Sequence, residues 1–261
     1  MQETLKSFWK TKVDLNDYDY HSDISLRLLL NSLSKNEVIL LEEILYSPLQ
    51  VSLKTLSENL EFSFEEIFPM LEKLQATSLF SFDGKTLFIN KEKRKYFETQ
   101  IEKFEDDFEP GMDFLQSMLK QVPIHILPIW YHIPRSSNNI FESLVEKYLA
   151  TPQIYQRYIT EFLSSADLAQ EIARNVFDSG DLKITAEEIK EKYNLTSQAL
   201  EEILIYLEYN LICVSSYEAN EEGWDQVVTP FSEWRKHLLF IKQTKPISIT
   251  NENEISLYRE E

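Results

Sequence analysis

Apolar residues recur at helical spacing along most of the chain, and the recurrences fall into two blocks with the same order of elements. In the first block, Ser34 and Glu37 form a capping box for a helix carrying Val38, Leu41, Ile44 and Leu45, which Pro48 stops. Leu49-Gln50-Val51 reads as a short strand. Ser52 then caps a helix with Leu53, Leu56 and Leu60, and Ser63 with Glu66 opens a third, whose Ile67, Met70, Leu71 and Leu74 line one face. Leu79 to Phe82 and Leu87 to Ile89 flank Asp83-Gly84, a pair that predicts a hairpin closed by a type I′ turn.

The second block repeats the order. Leu168, Ile172, Val176 and Phe177 mark a helix broken at Gly180, and Leu182-Lys183-Ile184 reads as a strand. Thr185 with Glu188 caps a helix carrying Ile189 and Tyr193, and Thr196 opens the next, with Leu200, Ile203, Leu204 and Leu207. Leu211 to Tyr217 and Trp224 to Thr229 form a hairpin around Glu218 to Gly223. Laid over one another without a gap, with Val51 on Ile184 and so an offset of 133, the blocks also match Leu60 to Tyr193, Phe62 to Leu195, Ile67 to Leu200, Leu71 to Leu204, Leu74 to Leu207 and Leu79 to Ile212. Apolar positions coincide and polar ones drift, as expected of one core written twice with two different surfaces.

Around the blocks the pattern divides the chain into five parts. Residues 1–33 are an N-terminal helical extension: an amphipathic piece with Leu5, Phe8 and Trp9, an acidic loop with Asp14, Asp17, Asp19 and Asp23, and a buried helix with Leu26, Leu28, Leu29, Leu30 and Leu33. The loop lacks the turn glycine and the bidentate glutamate of a calcium loop, so it reads as solvated, with Asp23 capping the helix. The blocks occupy 34–100 and 165–242. Between them, 101–164 begins with an acidic boundary around Pro110-Gly111 and continues through an apolar segment, 123–134, whose close prolines predict extended or irregular backbone packed on a domain. Two helices broken at Thr151-Pro152 follow, and 243–261 reads as a loosely ordered tail. The expected fold class is mainly α with small β-hairpins.

Composition narrows the chemistry. Aromatic content of 13% over 261 residues supplies filling for ordinary cores. Only four glycines occur, at 84, 111, 180 and 223, and none belongs to a phosphate-cradling loop. The one cysteine, Cys213, lies in an apolar run and reads as a buried hydrophobe, so no intramolecular disulfide forms, which suits a reducing compartment. The start of the chain lacks the apolar core of a signal peptide and no long apolar run occurs, so a cytoplasmic protein with no membrane association is expected.

His21, His125, His132 and His237 lack zinc-site spacing; His125 and His132 read as ordinary, partly buried histidines. No nucleophile elbow is present, and adjacent carboxylates such as Glu187/Glu188 or Glu201/Glu202 read as outward, solvated helix faces. No catalytic residue, cofactor or metal is expected; an enzyme would need a pocket with convergent polar groups beside 123–134.

Net charge is −18, from 26 Lys and Arg against 44 Asp and Glu, which repels phosphate and favours a basic or neutral protein partner. The third helices agree. One offers Phe64, Glu65, Glu66, Phe68 and Glu72, with Lys73 its only cation, and the other has none at its reading positions, so neither suits a DNA groove. Phe64 and Phe68, with Ile205, Tyr206 and Tyr209, are candidates for a protein-docking face, or else cover the N-terminal helices or the linking region. The concentrated cations, Lys91, Lys93, Arg94 and Lys95, joined by Lys85, are the candidate nucleic-acid contact, or else a charged strand exit or first turn of helix.

Helix, strand, helix, turn, helix, hairpin is the winged-helix order, and Val227 to His237 resembles the last strand and following helix of such domains. Across residues 34–98 and 165–240 the chain resembles acidic tandem winged-helix proteins, similar to the kleisin-binding subunits of bacterial condensins and to accessory domains of transcription and helicase complexes. That resemblance implies a non-catalytic protein-bridging module in a DNA- or RNA-handling assembly, serving transcription or chromosome maintenance. The alternative is a DNA-binding transcriptional regulator that uses the basic cluster after the first hairpin.

Overall fold

Side-chain caps fix where the helices begin. In the computed structural model, which describes residues 11–221 and 223–243, Ser34 accepts from the Glu37 amide while Glu37 Oε2 accepts from the Ser34 amide at 2.7 Å. Ser63/Glu66 and Thr185/Glu188 form the same reciprocal pair, and Ser52 and Thr196 cap with their hydroxyls alone. Each cap satisfies amides that the first helical turn leaves without partners, worth about 1 kcal/mol apiece.

The first unit comprises α2 (Lys35–Tyr46), β1 (Gln50–Ser52), α3 (Leu53–Leu60), α4 (Phe64–Leu74), β2 (Phe80–Phe82) and β3 (Thr86–Ile89), preceded by α1 (Tyr20–Asn31) and followed by α5 (Lys91–Ile101). Next come α6 (Met112–Leu119), α7 (Leu127–Trp130), α8 (Ile140–Tyr148) and α9 (Pro152–Phe162). The second unit comprises α10 (Leu168–Asp178), β4 (Ile184–Thr185), α11 (Ala186–Tyr193), α12 (Ser197–Tyr209), β5 (Val214–Ala219) and β6 (Trp224–Thr229), and α13 (Ser232–Gln243) follows. The protein is thus mainly helical with two three-stranded antiparallel sheets, ordered β1-β3-β2 and β4-β6-β5. The N-terminal amphipathic piece and the tail after about Gln243 lie outside the described residues.

The two units share backbone detail as well as order. Left-handed residues close α3 and α11 at Glu61 (φ 57°) and Asn194 (φ 52°), and lead into β2 and β5 at Ser78 (φ 54°) and Leu211 (φ 60°). Both pairs sit at the offset of 133 that aligns the apolar positions.

Some local expectations give way. The first hairpin carries one positive φ, at Gly84 (95°), with Lys85 as the second central residue, the sign pattern of a type II′ turn rather than I′. Asp83 Oδ1 holds the turn from its own side chain, accepting from the amides of Lys85 and Thr86. The apolar 123–134 segment includes one helical turn, α7, because Pro128 sits in its first turn, where an amide has no partner to lose. His125 and His132 are exposed rather than partly buried.

Two hydrophobic cores form. One gathers Leu26, Leu30, the helices of the first unit and Phe97, Ile101 and Phe104. The other joins Ile24 and α6–α9 to the second unit. Three tyrosine hydroxyls from the connecting region donate to carbonyls at the C-terminal end of α12 and just past it: Tyr131 to Tyr209 O, Tyr158 to Asn210 O and Tyr155 to Leu211 O. They satisfy acceptors that a helix end leaves open, which ties residues 112–163 to the second unit. Helix α1 lies between the cores, feeding Ile24 to one and Leu26 and Leu30 to the other.

Candidate interaction surfaces

Alternation of burial along α1 and α12 places a charged cluster between the two units. Arg27 Nε lies 3.1 Å from Asp23 Oδ1, one turn back on α1, and Arg27 Nη2 stands 2.8 Å from Glu208 Oε2 on α12. That second pair is electrostatic, lacking the alignment of a hydrogen bond. Lys103, in the 3₁₀ turn Glu102–Phe104 after α5, donates to Glu208 Oε1 at 2.9 Å, and Ser215 donates to the same oxygen from amide and hydroxyl. Tyr96 and Tyr18 donate to the two oxygens of Asp23.

Two carboxylates and two cations balance, and all four side chains are at most 4% exposed. Burial alone would raise the Glu208 carboxyl, but the Arg27 guanidinium and the Lys103 ammonium outweigh it and hold it down at about 2. Burial lowers Lys103 despite Glu208 beside it, and burial with the Asp23 carboxylate raises the Tyr96 phenol. Beside the cluster, Asn31 and Gln226 both donate to Glu201 Oε1, and Phe104 stacks on Tyr217 with centroids 3.9 Å apart. Helix α1 therefore packs on α12, and the 3₁₀ turn on β5.

This arrangement revises several site expectations. Asp23 is no cap; it sits one turn inside α1 and is consumed by the buried cluster. The other acidic residues of that loop diverge, Asp14 capping a 3₁₀ turn and Asp17 accepting from the Trp130 indole at 2.7 Å. Ile205 and Tyr209 are fully buried and so offer no docking face, because α12 is packed on two sides, against its own unit and against α1. Tyr206 is half-buried beside Phe162. Phe64 and Phe68 remain outside, 48% and 42% exposed, with Phe68 edge-on to Phe82 at 5.6 Å.

The basic cluster is split. Asn90 caps α5, so Lys91 to Lys95 occupy a helical first turn, and the side chains point different ways. Arg94 Nη2 turns inward to the Ser47 carbonyl at 2.6 Å. Lys93 and Lys95 line a cleft of about 700 Å³ between α1, α5 and α6, which Glu92, Glu98 and Glu102 also line. Lys91 is exposed at the helix start, and Lys85 is exposed in the hairpin turn.

The inward cluster had a readable signature. Glu201, expected with Glu202 on a solvated face, is instead 1% exposed, because α1 covers its side of α12 and Asn31 donates to it; it lies two helical turns from Glu208, and Asp23 and Arg27 stand at i, i+4. Among the described residues no group of three or more His, Cys, Asp or Glu is arranged to hold a metal ion, and no helix is long and apolar enough to cross a membrane. No protein-family model matches the sequence, and no curated protein is significantly similar to it.

Proposed function

We propose that this chain is a non-catalytic interaction module built from two winged-helix units, which bridges proteins within a DNA- or RNA-handling assembly. The single observation that carries the reading is the fate of the two third helices. In winged-helix DNA readers that helix enters the major groove; here α12 is covered by the chain's own α1, and α4 presents Phe64 and Phe68 among Glu61, Glu65 and Glu72. Acidic and aromatic side chains favour a protein surface over phosphate. The fixed joint between the units fits a bridging role, since a rigid spacer holds two partners at one separation. The placement in a nucleic-acid assembly rests on the winged-helix order alone.

The test is fluorescence anisotropy of labelled duplex DNA across a salt series, with Lys91→Ala, Lys93→Ala and Lys95→Ala combined and Arg94 left in place. No salt-dependent binding is expected. Binding that the triple substitution abolishes would overturn the reading in favour of a DNA-binding regulator.

A further inference from the structure

The offset of 133 lets one unit serve as a template for the other. Phe68, Glu72, Gln75, Ala76 and Phe82 of the first unit correspond to Glu201, Ile205, Glu208, Tyr209 and Ser215 of the second. In the second unit all five are buried, beneath α1 and the 3₁₀ turn Glu102–Phe104. In the first, Phe68, Glu72, Gln75 and Ala76 are exposed and Phe82 is half-buried. The same face of the same unit is thus closed by the chain in one copy and open in the other, and the open copy carries phenylalanine where the closed one carries glutamate and serine.

We infer that the open face of α4 and β2 receives an amphipathic helix from a partner protein, with an apolar stripe and Lys or Arg along its flanks, lying on α4 as α1 lies on α12. This deepens the reading of the chain as an interaction module and rests on it. The apolar stripe follows from Phe64, Phe68 and Phe82, and the cations from the exposed carboxylates Glu61, Glu65 and Glu72 on the same helix and its approach. A second copy of this chain is the poorer occupant, because at net charge −18 it brings acid against acid.

The probe is a fluorescein-labelled Leu/Lys amphipathic helix of about 18 residues, five turns, beside a Leu/Glu isomer with the same stripe. Binding to the full chain is followed by anisotropy, and the footprint by amide hydrogen exchange. The Leu/Lys helix should bind, the Leu/Glu isomer should not, and protection should appear on α4 and β2. Phe68→Glu, which copies the residue of the second unit onto an exposed position, should weaken binding at least tenfold, with Phe64→Ser as an independent second variant. No binding, binding indifferent to both variants, or protection elsewhere would overturn the assignment. So would a dimer in sedimentation that Phe68→Glu dissolves, which would make a second copy the occupant. Running the DNA titration on the same preparations separates the two claims: DNA binding removes the module reading, whereas an indifferent peptide without DNA binding removes this face alone.

Discussion

Glu208→Gln removes one charge from the joint between the units while keeping the side chain's shape, and its cost follows from the geometry. Glu208 is fully buried and faces two buried cations, so the variant leaves Arg27 and Lys103 with Asp23 as the one remaining counter-charge in the cluster. Breaking a buried pair from one side costs about 3–5 kcal/mol. The depressed ionisation of Glu208 leads to a similar figure. The carboxyl is held at about 2 against an ordinary 4.5, a gap worth about 3 kcal/mol at about 1.4 kcal/mol per pH unit.

Because the folded value is depressed, this stabilisation is present in full above about 4.5 and is lost as pH falls through about 2. Urea unfolding at pH 7 should therefore place the Glu208→Gln midpoint about 1 M below wild type, taking a slope near 3 kcal/mol per molar. At pH 3 the difference should shrink to about half, since the wild type is then losing the same contribution. A midpoint shift below about 0.3 M, or one that stays constant between pH 7 and pH 3, would refute the cluster as a charged, stabilising joint.

Four further outcomes follow from named contacts. Ser63→Ala should cost about 1 kcal/mol in chemical denaturation by uncapping α4, with the Phe64/Phe68 face otherwise intact. Arg94→Ala should destabilise by about 1–2 kcal/mol through the lost bond to the Ser47 carbonyl, whereas Lys91→Ala should stay within about 0.5 kcal/mol, a contrast that thermal melts would register. Tyr158→Phe should cost about 1–2 kcal/mol by leaving the Asn210 carbonyl one donor short, again read by urea unfolding. Cys213, 1% exposed and with its thiol pushed up by burial, should react with a thiol reagent at the rate of unfolding; rapid reaction of the native protein would contradict its placement.

Local signals in the sequence reach as far as local physics does. Capping boxes at Ser34, Ser63 and Thr185 and the stop at Pro48 set helix limits because each depends on residues within one turn. The hairpin at Gly84 was legible as a turn, but its type was not, since Asp83 stabilises it through side-chain bonds that the dipeptide pattern does not encode. The site was harder. Phe64 and Phe68 were readable as exposed because they fall outside the Ile67, Met70, Leu71 and Leu74 stripe that α4 packs into the first core. Ile205 and Tyr209 were misread because their burial depends on α1, 170 residues away at the Asn31–Glu201 contact, and periodicity within one helix carries no information about a second cover. Lys103 was hidden for the same reason, standing in an acidic stretch that looks solvated until its partner on α12 is known.

That distance also has a consequence in time. A ribosome adding roughly 5–20 residues per second makes the 170 residues between Asn31 and Glu201 in about 10–30 s. Through that interval the first core can close on Leu26 and Leu30, and Asp23 can meet Tyr18, Arg27 and Tyr96, while Arg27 and Lys103 stay hydrated and await Glu208. The nascent chain thus carries a half-finished surface that only its own late-made α12 can cover. Slowed synthesis or truncation before Glu208 would leave that charged strip open to whatever else the cell offers.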